Sequence, residues 1–197
     1  MSSIHHALRR TAAVLAAPLA GLVNHQARLA ARPVGPPRPA DWQHTTQPVA
    51  EPPEGGVLVK TLMLSLDPAM RGWMNEGKSY IPPVGLGDVM RAGGIGRVIA
   101  SRHPAFAVGD TVSGGTGVQE YASFASDQVK RSGLAKIDLR LGTPAQWLNV
   151  LGMPGMTAYF GLLEVGQPKA GETVVVSAAS GAVGGIVGQI AKIKGCR

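Results

Sequence analysis

The sequence predicts a mixed α/β chain in two parts: a turn-rich β region closing into a small barrel, then the opening of a parallel, helix-covered sheet. Three observations carry this. Short β-branched and apolar runs bounded by Gly, Pro and Asp recur from Gln26 to about Phe124. The pattern turns helical after about Leu141. An all-apolar run, a glycine turn and an amphipathic stretch then follow one another over residues 173–193. With 45% apolar residues in 197, the chain can bury a substantial core. Its 27 glycines and 15 prolines fall in short clusters between apolar runs, where turns need them.

Charge and cysteine usage exclude several classes of function. The formal charge is +7, but lysine and arginine are scattered among strand-like segments and form no stripe with interleaved aromatics, so no nucleic-acid partner is expected. Cys196 is the single cysteine, which leaves no disulfide framework and fits a reducing cytoplasm. Residues 1–23 are read as an N-terminal extension. Arg9 and Arg10 precede an apolar stretch, Ala12 to Val23, that is too short to span a membrane, is interrupted by Pro18 and is followed by no small-residue cleavage site. A misplaced start upstream of Val23 would account for it.

The β region, residues 24–141, shows its elements in order. A Pro52-Pro53-Glu54-Gly55-Gly56 turn leads into a strand from Val57 to Leu66. Ala92 to Ile99 is a glycine-punctuated strand, Phe106 to Val112 a turn entering another, and Gly117 to Phe124 alternates faces. In residues 142–197 the helical signals dominate. Thr143 before Pro144 reads as a cap with proline at the first helical position, and the helix runs toward Leu151. A second helix starts near Pro154 and ends at Gly166. Thr173 to Ser177 reads as a strand buried on both faces, and the helix from Gly181 places Val183, Ile186, Val187, Ile190 and Ile193 on one face.

Between that strand and helix lies Ala179-Ser180-Gly181-Ala182-Val183-Gly184, the dinucleotide fingerprint G-x-G-x-x-G with alanine in first place. Gly181 would let the backbone approach a pyrophosphate, Gly184 would let helix and strand pack closely, and the free N–H groups of the helix start would face the phosphates. A turn serving tight packing alone is the other reading. The residue that separates NAD from NADP is expected about twenty positions further on.

Four stretches now stand in order: Leu64 to Met74 (LSLDPAMRGWM), Val89 to Val98 (VMRAGGIGRV), Gly152 to Leu163 (GMPGMTAYFGLL) and Ala178 to Lys192 (AASGAVGGIVGQIAK). Together they resemble the consecutive signatures of the leukotriene B4 12-hydroxydehydrogenase, prostaglandin reductase and curcumin reductase group of zinc-independent medium-chain dehydrogenases/reductases. The resemblance runs from Asn24 to Arg197 and covers around the first half of a family member. It implies a GroES-like barrel over residues 24–141, then linking helices and the first strand, turn and helix of an incomplete Rossmann domain over 142–197, with the active site between. It implies NADPH as cofactor, a small-molecule enone as substrate, and a homodimer at full length. The implied reaction passes hydride to the β-carbon of an α,β-unsaturated ketone or aldehyde, followed by protonation of the α-carbon. No metal is implied: zinc-dependent relatives carry Gly-His-Glu where this chain has Ala92-Gly93-Gly94.

By the same resemblance, Ala179, Ser180, Gly181, Ala182, Val183 and Gly184 match the pyrophosphate turn, and Thr157 matches a position close to the nicotinamide. Thr157 could equally be a helix hydroxyl bonded to its own backbone. Tyr80 sits in a loop that would reach the cleft, where it could line the substrate site or be an ordinary surface tyrosine. Asp67 is expected to cap the short turn that starts at Pro68, with Arg71 pairing locally. Ala69 stands where many relatives have tyrosine, which weakens transfer of their substrate contacts. No catalytic acid can be named. Alone, the chain is expected to expose apolar surface, to aggregate, and to bind NADPH more weakly than a complete member. A non-catalytic nucleotide-binding scaffold remains a second reading, and a basic nucleic-acid binder a third.

Overall fold

The computed structural model describes residues 19–197, so the expected extension lies outside the described residues up to position 18. Strands β1 (Val23–Leu29) and β2 (Trp42–Pro48) form an antiparallel pair. A second sheet holds β3 (Val57–Leu64), β4 (Gly94–Ser101), β5 (Thr111–Gly114), β6 (Tyr121–Phe124) and β7 (Ala135–Lys136) in the order β6-β3-β4-β5-β7, all antiparallel. The turn before β3 is made by Gly55 in the left-handed region at φ 67°. The predicted strand from Val57 stops at Leu64, two residues early, because the chain turns toward a short helix, α1 (Ala69–Trp73).

Apolar side chains on the two faces of this sheet explain its stability. Val57, Val59, Val98, Val112, Ala122 and Phe124 are buried together with Val129, from helix α2 (Ser126–Arg131), and Leu134. Leu58 of β3 and Ala100 of β4, which alternate with these, are buried with Leu19, and a further cluster from outside this sheet's strands joins Leu29, Met74, Val84 and Met90 against Trp42, Met70 and Trp73. The glycine punctuation of β4 is a packing requirement. A Cβ at Gly96 would overlap the Val59 side chain and stand 2.6 Å from the Lys60 carbonyl oxygen, so only glycine admits the β3–β4 approach there. The ladder slips in register between Thr61 and Met63, as expected of a bulged strand beside glycine.

The predicted closed barrel is corrected to two open sheets. Isolated bridges, Gln26 to Gln119 and Arg28 to Val89, join β1 to the larger part without a continuous ladder. Closure requires an unbroken, staggered set of strand pairs, and here β6 supplies four residues and β7 two. Side chains make up part of the seam. Asn24, buried, donates through Nδ2 to the Tyr121 carbonyl at 2.9 Å and accepts the Tyr121 N–H through Oδ1 at 2.9 Å.

The helical part opens with α3 (Pro144–Leu148), where Thr143 Oγ1 accepts the Gln146 N–H at 3.3 Å and Gln146 Oε1 accepts the Thr143 N–H at 2.8 Å. That reciprocal pair is the capping box. Helix α4 (Met153–Phe160) runs on into a π-helical turn, Gly161–Gly166, which ends on Gln167 in the left-handed conformation at φ 46°. Helix α5 (Gly184–Ile193) packs on α4 with Ile186 and Ala191 buried. It starts three residues later than predicted, since residues 178–183 are spent on the turn.

Thr173–Ser177 is a further correction: it pairs in no ladder of named strands, and Val175 is 88% exposed. A strand acquires its burial from neighbours on both edges and helices on both faces. One fragment of pairing is present. Val174 N–H donates to the Arg197 carbonyl at 2.7 Å, and Arg197 N–H donates to the Glu172 carbonyl at 2.8 Å. Two bonds straddling one residue in this slanted fashion are the repeat of a parallel ladder.

Candidate functional site

The glycine turn is built from the backbone outward. Gly181 N–H donates to the Ala178 carbonyl at 2.9 Å, and Gly185 N–H returns to the Gly181 carbonyl at 2.9 Å, closing the turn into α5. A Cβ at Gly184 would overlap the Ala178 carbonyl, which forces glycine and brings the helix down onto the strand-like segment. At Gly181 an added Cβ would meet the same oxygen at 3.2 Å and otherwise open space. Among the described residues, the N–H groups of Ala182, Val183 and Gly184 find no backbone acceptor. Three orphan donors at a helix start, with an unobstructed face over Gly181, are what a phosphate group can use.

The other predicted residues have their hydrogen-bond partners outside this turn. Thr157 is exposed on α4 and donates from Oγ1 to the Met153 carbonyl at 2.8 Å, one helical turn back. Tyr80 is 79% exposed, and its hydroxyl oxygen accepts the Trp73 Nε1–H at 3.0 Å. No hydrogen bond connects Thr157 or Tyr80 to residues 179–184 among the described residues.

Asp67 and Arg71 have structural partners: the expected cap by Asp67 is absent, while Arg71 pairs locally with Asn75 and also reaches further. The Asp67 carboxylate makes no cap; its carbonyl accepts the Met70 N–H at 3.0 Å. Arg71 reaches across to the Gly35 and Pro33 carbonyls, each at 2.9 Å, and to Asn75 Oδ1 at 2.6 Å. Arg32 does the same in the other direction, donating from one nitrogen to the Met74 and Val84 carbonyls at 2.9 and 2.5 Å. Guanidinium forks suit this task because they carry several donors on one rigid plane.

A third arginine on this rim stands out. Arg91 lies with its guanidinium carbon 5.4 Å from the Trp73 ring centre and donates from Nη2 to the Pro82 carbonyl at 3.0 Å. Its Nη1 is buried and has no partner. A lone arginine before a glycine pair is unremarkable in the sequence; only its seat on Trp73, beside Tyr80, sets it apart. Nearby, Pro37, Trp42, Leu66, Met70, Met74 and Met90 surround much of an apolar hollow of about 430 Å³.

The Arg140 side chain first, and its backbone N–H second, hold the Asp138 carboxyl below its ordinary range. Among the described residues there is no cluster of three or more His, Cys, Asp or Glu side chains able to hold a metal ion, and no helix long and apolar enough to cross a membrane.

Comparison with known proteins places this geometry. Residues 25–132 match the family model for the N-terminal domain of oxidoreductase. The NADPH-dependent curcumin reductase of Escherichia coli (strain K12) is 50% identical over 169 residues, covering 86% of this chain and 48% of the relative. Rabbit (Oryctolagus cuniculus) prostaglandin reductase 1 is 39% identical over 168 residues, covering 83% and 44%. Among solved structures, CurA from Vibrio vulnificus in complex with NADPH superposes with a TM-score of 0.79 at 45% identity, covering 88% of this chain and 50% of that one. The chain therefore spans about half the length of these relatives. Matched over more than half its residues by the family model, it belongs to the oxidoreductases with this N-terminal domain, within the zinc-independent medium-chain dehydrogenase/reductase group that includes the curcumin and prostaglandin reductases.

Proposed function

We propose that this chain is the first part of an NADPH-dependent, zinc-independent reductase of the carbon–carbon double bond in α,β-unsaturated ketones and aldehydes. The observation that carries the reading is the turn at Gly181–Gly184, with its orphan N–H groups and the close approach that only glycine permits at position 184. In this reading residues 24–141 form the GroES-like part, and residues 142–197 begin a Rossmann domain. The parallel hydrogen bonds around Arg197 support the latter.

The residues present fit the cofactor. Ala179, Ser180, Gly181, Ala182, Val183 and Gly184 would hold its pyrophosphate by backbone N–H groups and the partial positive charge of the α5 start, and Thr157 would lie toward the nicotinamide. When bound, NADPH would supply the hydride for the β-carbon of the enone. The chain's own contribution is to fix the two reactants and keep water from between them, where positioning and pre-set dipoles lower the barrier. Tyr80 would line the substrate side. None of the side chains described here is assigned the proton that the α-carbon receives.

The test is to capture the native protein from its source on a nicotinamide-nucleotide resin and offer it an enone with NADPH deuterated at the transferring position. The expected result is enone-dependent oxidation with deuterium on the product β-carbon. Nucleotide binding without oxidation would replace the reductase reading with that of a non-catalytic nucleotide-binding scaffold.

A further inference from the structure

The first described residues fold into a turn. In Leu19-Ala20-Gly21-Leu22 the Leu22 N–H donates to the Leu19 carbonyl at 3.1 Å, and Gly21 takes the left-handed conformation at φ 86°. Glycine in third place permits such a turn without steric cost. Both leucines thereby reach one apolar cluster. Leu19 is buried with Leu58 of β3 and Ala100 of β4, and Leu22 packs against them together with Val49, Ile99 and Tyr121. The Leu22 carbonyl then accepts the Val49 N–H at 3.0 Å, one residue beyond the end of β2.

This tetrapeptide touches both sheets. Through Leu19 it lies on the five-stranded sheet, and through Leu22 it holds the end of the β1–β2 pair. No continuous ladder joins the two sheets, so contacts of this kind fix where the pair sits. The hold is light. Leu19 is its buried anchor, Ala20 and Gly21 are exposed, and a hollow of about 540 Å³ remains between residues 19–23 and 46–49. Little packing is broken when such a turn lifts, and local opening of this type leaves the rest of a domain folded.

We infer that Leu19–Leu22 is a releasable strap: docked, it closes the β1–β2 pair onto the five-stranded sheet, and lifted, it frees the end of that pair and uncovers Leu58 and Ala100. A start at Val23, which would account for the extension in the sequence, deletes the strap and leaves the chain in the released form. The choice of first residue therefore selects between the two states. The strap lies in the first part of the chain and does not depend on the reductase reading.

Hydrogen exchange of the Val49 amide in the full chain reads the strap directly, because that N–H has the Leu22 carbonyl as its acceptor. The Val98 amide, which donates to the Asp110 carbonyl at 2.9 Å within the five-stranded sheet, is the reference. Leu19→Ala should speed Val49 exchange by about tenfold, the scale of losing most of one leucine's burial, with Val98 changing by less than about twofold. A methyl group added at Gly21 meets no atom within 4 Å, so Gly21→Ala acts through backbone conformation alone and should give a smaller increase, about fivefold. Leu19→Met, which conserves volume, should keep the protection of the parent chain. A chain lacking residues 2–22 should exchange at Val49 at least as fast as Leu19→Ala. Unchanged Val49 exchange in Leu19→Ala, in Gly21→Ala or in the shortened chain would overturn the inference. So would equal acceleration at Val49 and Val98, which would make Leu19 an ordinary core residue.

Discussion

Gly184 faces the Ala178 carbonyl so closely that one added methyl group would overlap it, whereas the same addition at Gly181 meets that oxygen at 3.2 Å. Two glycines of one turn therefore do different work. Gly184→Ala should destabilise the helical part by about 2 kcal/mol, in the range of overpacked sites. Gly181→Ala should leave stability nearly unchanged and weaken nucleotide binding, because its methyl group enters the face where a pyrophosphate would lie. Denaturant titration and NADPH titration of the two variants separate these effects; equal loss of stability in both would show that packing alone explains the turn.

Asn24 ties β1 to Tyr121 through both amide atoms. Asn24→Ala leaves a part-buried backbone N–H and carbonyl at Tyr121 without these partners, at a cost of about 1 kcal/mol. A lower urea midpoint with unchanged slope is the expected signature. A midpoint equal to that of the parent chain would mean water replaces the amide at this seam.

Thr157 separates two roles by one substitution. Its hydroxyl is spent on the Met153 carbonyl in an exposed helix, so Thr157→Val should change stability by no more than about 0.5 kcal/mol, as at other surface sites. If NADPH affinity also stays the same, the hydroxyl serves its own backbone only. A several-fold loss of NADPH affinity places it at the nicotinamide.

Asp138 accepts from Arg140 Nε at 3.0 Å and from Nη2 at 2.6 Å, and its carboxyl titrates below the ordinary range for that reason. A depressed folded-state value contributes stability above the unfolded-state pKa and loses it as pH falls through the folded-state value. Arg140→Gln should therefore raise the Asp138 midpoint toward that of a free carboxylate, read directly by NMR titration. Asp138 is half-buried beside an exposed Arg140, so water screens the pair and the accompanying change in global stability should be small.

Much of the fold was legible because local chemistry dictates it. Thr143 with Pro144 and Gln146 announces a capped helix, and the structure closes that box atom for atom. The apolar alternation ending in Phe124, and the proline–glycine turn before Val57, place β6 and β3 to within a few residues. The fingerprint at residues 179–184 was equally plain, since glycine at position 184 has one steric reason to be there.

What sequence periodicity could not decide is which strand edges meet. A run such as Thr173–Ser177 reads as buried from its composition, yet burial depends on neighbours that only the tertiary arrangement supplies, and Val175 stands exposed. For the same reason a barrel could be expected and two open sheets found: ladder closure is a property of all strands together. The partners of Arg71, and the unpaired nitrogen that Arg91 keeps against Trp73, belong to this second class. A guanidinium spans several ångströms and bonds whatever carbonyl the fold brings near, so its role is set by long-range geometry, while caps, turns and glycine contacts are set by residues a few positions away.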